Sequence, residues 1–310
     1  MPPGASTADV AGALRTVSAP QVLRKLERLR IAGQHSVSHR PGQTPVARAS
    51  QASGLELANH KTYAPGDDLR YLDWNAYGRL EQRLIKTFRA EREAPVHLLI
   101  DASASMGVPA ADGKLGFAAG IAAGLGYVAL RQNNPTRVVV LGEGAETRIS
   151  PLLRHVQRLP ELLQFLGTIE AHGPTRLGEG IDAYLRSMHL PGTVVVISDF
   201  LLEPSAYERA LDQLRGRGHH VLALRVIGRE ERDPSALPRQ IRLHDAETGV
   251  ERLIDLTAAH RADYARAVEE HLARLKQWCD ARAIGCAVAD TAAGLEACLI
   301  ADLPRAGLLQ

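Results

Sequence analysis

The chain has 310 residues, of which 45% are hydrophobic and 23% charged. This is the composition of an ordinary globular protein, long enough to bury a sizeable core. Its 3 cysteines exclude a scaffold built from disulfides. Its 4% aromatic residues disfavour the base-stacking surface of a single-strand nucleic-acid binder. The net charge of +2 gives no strong attraction to nucleic acid or to a membrane surface.

Charge is distributed unevenly along the chain. Residues 1–92 contain 14 Lys and Arg against 8 Asp and Glu, whereas residues 93–310 contain 23 against 27. We interpret the first third as a basic arm that folds onto its own mildly acidic body, in preference to a nucleic-acid-binding segment.

The first 53 residues read as an N-terminal arm. Residues 1–18 are small and polar without periodicity, which is typical of a frayed terminus. Residues 20–31 carry apolar side chains at helical spacing and predict a short amphipathic helix with a basic outer face. Residues 32–53 are rich in Gly, Pro, Ser, His and Gln and predict a linker.

Targeting and membrane signals are not expected. Residues 1–6 lack the cationic and apolar regions of a signal peptide. The longest uncharged apolar run, residues 115–130, is shorter than the ~20 residues that span a bilayer, so it predicts a buried helix. We therefore expect a cytoplasmic protein without a membrane span.

From residue 93 to residue 310 the pattern predicts an α/β domain. We predict strands at residues 96–100, 137–141, 147–149, 193–198, 220–227 and 285–289, and helices at residues 114–131, 154–166, 177–188, 205–216 and 257–283. Apolar strands that alternate with helices imply a doubly wound, mostly parallel sheet of the Rossmann-like kind. Residues 54–92 would add a small β extension to it.

Polar residues follow two of the predicted strands. Strand 96–100 runs into Asp101, Ser103 and Ser105, and strand 193–198 runs into Asp199. In the usual doubly wound order these two strands are neighbours at the topological switch point, where such folds bind ligands. The two carboxylates should therefore meet in one crevice, with Thr175 on an adjacent loop. Such an all-oxygen set suits a hard cation such as Mg²⁺.

These residues resemble the metal-ion-dependent adhesion site of von Willebrand factor A domains, in which Asp-x-Ser-x-Ser is followed by a Thr and a second Asp. The resemblance implies that Ser103, Ser105 and Thr175 ligate Mg²⁺ directly, with Mn²⁺ or Ca²⁺ as alternatives. It also implies that Asp101 and Asp199 act through coordinated waters, and that an Asp or Glu of a partner fills the vacant position. The structural alternative is that these residues only cap helices.

A second dense motif lies upstream. Pro65 and Gly66 predict a turn, and Asp67 or Asp68 can cap a short helix after it. Farther along, Arg70 and Asp73 are spaced to pair on one face, Trp74 would bury against the body, and Arg79 follows. We interpret the segment as a structural turn held by ion pairs, with a partner-binding surface as the alternative.

Together the two motifs resemble the bacterial domain-of-unknown-function 58 family. The residues that carry the resemblance are Glu56-Leu57, Lys61-Thr62-Tyr63, Gly66-Asp67-Asp68-Leu69-Arg70, Leu72-Asp73-Trp74, Gly78-Arg79, Lys86, Glu91 and the segment from Asp101 to Met106. Departures from the family pattern are Leu57 for Phe, Lys61 for Arg and Gly78 for Ala. The resemblance implies a von Willebrand-like domain that works beside a MoxR-type AAA+ ATPase as an adaptor or chaperone-like partner.

Three functions follow as hypotheses. We favour a non-catalytic, metal-dependent binding module that engages a MoxR-type ATPase, or a client protein through an acidic side chain. The first alternative is a metal-dependent phosphoester hydrolase in which Asp101 or Asp199 serves as base or nucleophile. The second is a structural scaffold with an empty site. A P-loop is excluded, because Gly107 and Gly113 are separated by five residues and Leu115 cannot ligate Mg²⁺.

Overall fold

The computed structural model describes residues 7–31, 55–65, 69–90, 95–142, 147–188, 190–244 and 250–310. The expectations for residues 32–53, Gly66, Asp67 and Asp68 lie outside these ranges. The chain divides into a larger unit, residues 1–35 with 94–310, and a smaller unit, residues 36–93.

The elements are as follows. The strands are β1 (Leu55–Thr62), β2 (Leu84–Ala90), β3 (Val96–Asp101), β4 (Thr136–Leu141), β5 (Arg148–Ile149), β6 (Thr193–Ser198), β7 (His220–Ile227), β8 (Gln240–His244), β9 (Glu251–Asp255) and β10 (Gly285–Asp290). The helices are α1 (Thr7–Ser18), α2 (Pro20–Leu26), α3 (Trp74–Leu80), α4 (Lys114–Arg131), α5 (Leu159–Leu166), α6 (Leu177–Ser187), α7 (Pro204–Gly216), α8 (Arg229–Arg232), α9 (Ala258–Asp280), α10 (Leu295–Ala297) and α11 (Leu303–Arg305).

A six-stranded sheet forms the centre of the larger unit, in the spatial order β10-β7-β6-β3-β4-β5. The strands are parallel, except that β5 runs antiparallel to β4. This confirms the predicted mostly parallel α/β sheet and the predicted contact between β3 and β6. Most residues of the strands are apolar because helices cover both faces of the sheet, although β3 buries His97 and β7 buries Arg225.

Alternation along the strands divides the interior into two cores. In β3, Leu98 and Ile100 face the core around α4, whereas Leu99 faces the core around α6 and α7. Helix α4 is buried along its length apart from Arg131. The segment Ala110–Arg131 is long and apolar enough to cross a membrane, and 94% of its apolar window is buried. A core helix passes the same test, so the segment is weak evidence for a span.

The prediction of a frayed terminus is wrong for residues 7–18, whereas residues 1–6 lie outside the described ranges. Residues 7–18 form α1, which places Val10, Leu14 and Val17 in the core beside α4. The next helix, α2, ends at Leu26, earlier than expected, and places Val22 and Leu26 in the same core. Both helices thus belong to the larger unit. The spacing of Val10, Leu14 and Val17 at i, i+4 and i+7 is the helical period, so the sequence did carry a signal for α1.

Two local differences concern the larger unit. The helix expected at residues 154–166 begins only at residue 159, after a 3₁₀ turn. Strands β8 and β9, which the sequence did not predict, form an antiparallel hairpin between β7 and α9. The first three side chains of β9, Glu251 to Leu253, are all exposed. The strand therefore has no buried face that would give an alternating apolar pattern in the sequence.

The smaller unit contains an antiparallel β1–β2 pair and helix α3. Asp73 caps α3 by accepting hydrogen bonds from the backbone N–H groups of Asn75 and Ala76, both at 3.1 Å. Its other oxygen contacts His60 Nε2 at 2.8 Å. Asp73 is therefore the cap of α3, whereas Asp67 and Asp68, which the sequence offered as caps of a short helix, lie outside the described ranges.

Candidate functional site

The candidate site lies where β3 and β6 end. Ile100 of β3 is paired with Ile197 of β6, so the next residues, Asp101 and Ser198, project to the same face of the sheet. Asp199 follows Ser198 and projects to the opposite face, where α4 begins. The register thus places one carboxylate on each side of the same sheet edge.

Asp101 is buried, and hydrogen bonds hold both of its oxygens. Oδ1 accepts from the Ser103 N–H at 2.9 Å, and Oδ2 accepts from the Ser198 hydroxyl at 2.6 Å. Burial, and then the charge of Asp199, raise the pKa of Asp101 to about 6, against an opposing effect of the Ser198 and Ser103 hydrogen bonds. The charge of Asp199 at the end of β6 thus acts on Asp101 at the end of β3.

The hydroxyl groups of the Asp-x-Ser-x-Ser motif face each other. The Oγ atoms of Ser103 and Ser105 lie 3.0 Å apart. The loop that carries Thr175 runs alongside them, because His172 N–H donates to Ala102 O at 2.9 Å and Ala104 N–H donates to Gly173 O at 2.8 Å. Backbone hydrogen bonds thus bring the loop before α6 against the loop after β3.

Asp199 is fully buried and has a cationic partner. Its Oδ1 accepts from the Leu201 N–H at 3.2 Å, and its Oδ2 accepts from Lys114 Nζ at 3.1 Å. The same ammonium contacts Glu231 Oε1 at 2.5 Å. Lys114 is the first residue of α4 and only 1% exposed. A buried carboxylate–ammonium–carboxylate group therefore stands directly beside the predicted site.

A second buried cation lies on the neighbouring strand. Arg225 of β7 is paired with Ser198 of β6 and is 3% exposed. Its Nε and Nη1 atoms have no hydrogen-bond partner within the described part of the chain. Burial lowers the pKa of Arg225, while the charges of Asp199 and Glu231 act in the opposite direction. Positive charge thus accumulates on the β7 side of the site.

Sequence reasoning missed three of these side chains: Lys114, Glu231 and Arg225. One signal was nevertheless present, because a lysine at the first position of a helix opposes the helix dipole and needs a local reason. Glu231 and Arg225 gave no comparable signal, since they reach the site only through the β6–β7 pairing and the turn after it.

The upstream motif is only partly described. Arg70 and Arg79 are exposed, and Asp73 is the buried cap of α3. The expectation that Trp74 buries against the body is wrong, because its side chain is 67% exposed and meets only the edge of Tyr77, with ring centroids 6.3 Å apart. Trp74 is the first residue of a short helix whose buried contacts come from the preceding turn.

The side chains at the candidate site decide whether a hard cation fits there. Among the described residues, no group of three or more His, Cys, Asp and Glu side chains could hold a metal ion. Hydroxyl oxygens of Ser and Thr, which are not among those side chains, also ligate Mg²⁺ in proteins. Ser103 and Ser105 supply two hydroxyl oxygens 3.0 Å apart, and the buried carboxylates of Asp101 and Asp199 stand at the ends of β3 and β6, so these side chains offer the oxygen ligands that Mg²⁺ takes. The residues therefore fit the ion by donor chemistry.

This chain is similar to uncharacterized mycobacterial proteins. An uncharacterized protein of Mycobacterium tuberculosis and one of Mycobacterium bovis are each 33% identical over 226 residues, which is 71% of this chain and 69% of theirs. Among solved structures, the conserved hypothetical protein BatB from Bacteroides thetaiotaomicron has a TM-score of 0.40 at 16% identity, covering 69% of this chain and 98% of that one.

An aerotolerance-related membrane protein from Bacteroides fragilis has a TM-score of 0.35 at 18% identity, covering 56% of this chain and 87% of that one. Likenesses of this degree carry no functional argument. The family described as "Protein of unknown function DUF58" matches residues 59–274. This stretch includes β3, β6 and the whole candidate site, and the chain belongs to that family.

Proposed function

We propose that this chain is a non-catalytic, metal-ion-dependent protein-binding module with a von Willebrand factor A-like fold. The contact between β3 and β6 supports the proposal, because it joins the Asp-x-Ser-x-Ser loop to the second Asp at one sheet edge. The observation that carries it is the hydroxyl pair of Ser103 and Ser105, 3.0 Å apart, in the loop that begins at the buried Asp101.

In this proposal Ser103, Ser105 and Thr175 hold Mg²⁺ directly, while Asp101 and Asp199 contribute through waters. The hydrogen bonds on both oxygens of each carboxylate favour this division, because they fix the carboxylates in place. When bound, the ion supplies a concentrated positive charge for one anionic ligand. The protein's own residues leave that position to an acidic side chain of a partner protein.

We propose further that the partner is a MoxR-type AAA+ ATPase or its client, met in the cytoplasm. The support is the resemblance of the two sequence motifs to a family associated with such ATPases. Cysteine usage agrees with a reducing compartment, since Cys279, Cys286 and Cys298 are all free thiols.

The metal step is tested by titrating Mn²⁺, as a spectroscopic probe, into the wild type, Ser103→Ala and Ser105→Ala. Electron paramagnetic resonance reports the free ion. We expect each variant to bind at least tenfold more weakly than the wild type. Ser187→Ala removes a hydroxyl at the far end of α6 and is the matched control. Equal binding by all four proteins would contradict the site.

The partner step uses a purified MoxR-type ATPase from the same genome, with Mg²⁺ or with EDTA. We expect binding that EDTA and Asp101→Ala both abolish. Binding that survives EDTA would move the interface away from the metal site and contradict the proposal. Mn²⁺-dependent turnover of p-nitrophenyl phosphate that Asp101→Ala removes would replace the binding module with a hydrolase.

A further inference from the structure

We propose that Lys114 is the resident counter-ion of Asp199 and that it limits the affinity of this site for a divalent cation. The inference rests on the proposed metal site and adds to it a residue that controls it. In the metal-free protein the Lys114 ammonium would then neutralise the charge of Asp199. A bound divalent cation would have to share that carboxylate with the ammonium.

The position of Lys114 is electrostatically unfavourable on its own. It is the first residue of α4, and its ammonium is buried near the positive end of the helix dipole. The preceding Gly113 gives the helix no side-chain cap. A lysine in such a place must be stabilised by opposite charge, because an unpaired buried ammonium loses its hydration.

Two carboxylates provide that charge from separate elements. Asp199 lies 3.1 Å from Nζ at the end of β6, and Glu231 lies 2.5 Å away in α8. Glu231 is itself fixed, because its Oε2 accepts from the Gly228 N–H at 2.8 Å. The α8 turn is pinned in addition by Asp112, which accepts from the Glu230 N–H at 3.2 Å. The ammonium is therefore held in place against Asp199.

The fixed positive charge of the Lys114 ammonium beside Asp199 repels a second cation at the same carboxylate. The repulsion is strong at a buried site because little water screens it. Removing the ammonium should therefore tighten cation binding, and strengthening its hold on Asp199 should weaken it. If Lys114 only joins α4 to α8, its removal lowers stability and leaves cation binding unchanged.

The experiment measures the Mn²⁺ dissociation constant of the full chain by calorimetry and by electron paramagnetic resonance. Lys114→Met should bind at least tenfold more tightly than the wild type, and Lys114→Arg, which keeps the charge, should bind like the wild type. Glu231→Gln should bind several-fold more weakly, because the ammonium then pairs with Asp199 alone. Tighter Mn²⁺ binding by Lys114→Met together with weaker binding by Glu231→Gln would support the inference.

The double variant Lys114→Met with Glu231→Gln covers the case in which the single variant fails to fold. The double variant removes one cation and one carboxylate, so the local net charge is unchanged. Asp199 loses the ammonium that contacts it. Tighter binding than in the wild type, or binding where the wild type shows none, supports the inference. Wild-type affinity in Lys114→Met and in the double variant overturns the inference and leaves the proposed site intact. No Mn²⁺ binding by any of the proteins overturns both the inference and the proposed site.

Discussion

At the scale of single residues, His97 is a buried base without a partner. It lies in β3, is 3% exposed, and neither ring nitrogen has a hydrogen bond within the described ranges. Burial, and then the charges of His219 and Arg137, lower its pKa to about 3. The folded state therefore holds His97 neutral, whereas the unfolded chain binds a proton below about pH 6.5.

It follows that stability falls as pH drops from about 6.5 towards 3, by up to about 1.4 kcal/mol per pH unit from this group. His97→Leu should leave the free energy of unfolding at pH 7 unchanged or raised, because no hydrogen bond is lost. It should also reduce the loss between pH 7 and pH 5. Urea denaturation at both pH values measures this. His155→Leu, at an exposed position, is the control. An unchanged pH slope in His97→Leu would contradict the assignment.

Asp101 gives the opposite pH dependence. Its pKa is raised to about 6, chiefly by burial, so the fold favours the protonated carboxyl. The corresponding stability is present below about pH 4 and is lost as pH rises to about 6. Asp101→Asn should therefore stabilise the protein in EDTA at pH 7.5 by about 1–3 kcal/mol, with little difference near pH 4.

The measurement is chemical denaturation of the two proteins at both pH values. Glu269→Gln removes an exposed carboxylate from α9 and should change stability little at either pH. Destabilisation by Asp101→Asn at both pH values would show that the carboxylate's hydrogen bonds outweigh the burial of its charge. In the proposed site the same variant should also lose Mn²⁺.

At the scale of elements, close packing of α1 on α4 depends on glycine. A Cβ atom added at Gly116 would lie 2.8 Å from the backbone carbon of Asp9. Backbone cannot move aside as a flexible side chain can. The helix–helix contact therefore needs a residue without a side chain at this position.

We expect Gly116→Ala to lower the free energy of unfolding by about 1–3 kcal/mol, despite its gain of about 1 kcal/mol in helix propensity. Gly12→Ala, in the facing helix, is the matched control, because nothing lies within 4 Å of its added Cβ. It should be neutral or stabilising. Denaturation curves and hydrogen exchange in α1 distinguish the two, and equal effects would contradict the packing.

At the scale of the whole molecule, the two ends of the larger unit close on each other. Arg30 and Gln310 exchange backbone hydrogen bonds of 2.7 and 2.8 Å, and Ile31 forms a bridge with Leu309. Leu309 is 1% exposed in the core that contains α1, α2 and α4. The last residues of the chain therefore complete the core that the first helices begin.

Leu309→Ala should accordingly destabilise the protein by about 2–5 kcal/mol, the usual range for a buried leucine. Leu190→Ala, at a side chain that is 73% exposed, should have little effect. Thermal and urea denaturation provide the comparison. A cost below about 1 kcal/mol for Leu309→Ala would mean that the closure contributes nothing to the cooperative unit.

The amino-acid sequence by itself determined the central sheet and the residues at its edge. The apolar runs of β3, β6 and β7 are clear in the sequence because strands buried on both faces carry few polar residues. The order of strands then placed Asp101 beside Asp199, since the ends of neighbouring parallel strands meet. Local pattern and topology rules sufficed for this part.

Tertiary structure alone decided what surrounds that edge. Lys114 and Glu231 are 117 residues apart and meet only through folding. Gly116, Gly120 and Gly124 repeat every four residues along α4, but only the fold shows that Gly116 meets α1, and only the fold shows that Trp74 is exposed. A sequence specifies residue types and local periods, whereas charge pairing and burial arise from contacts between distant segments.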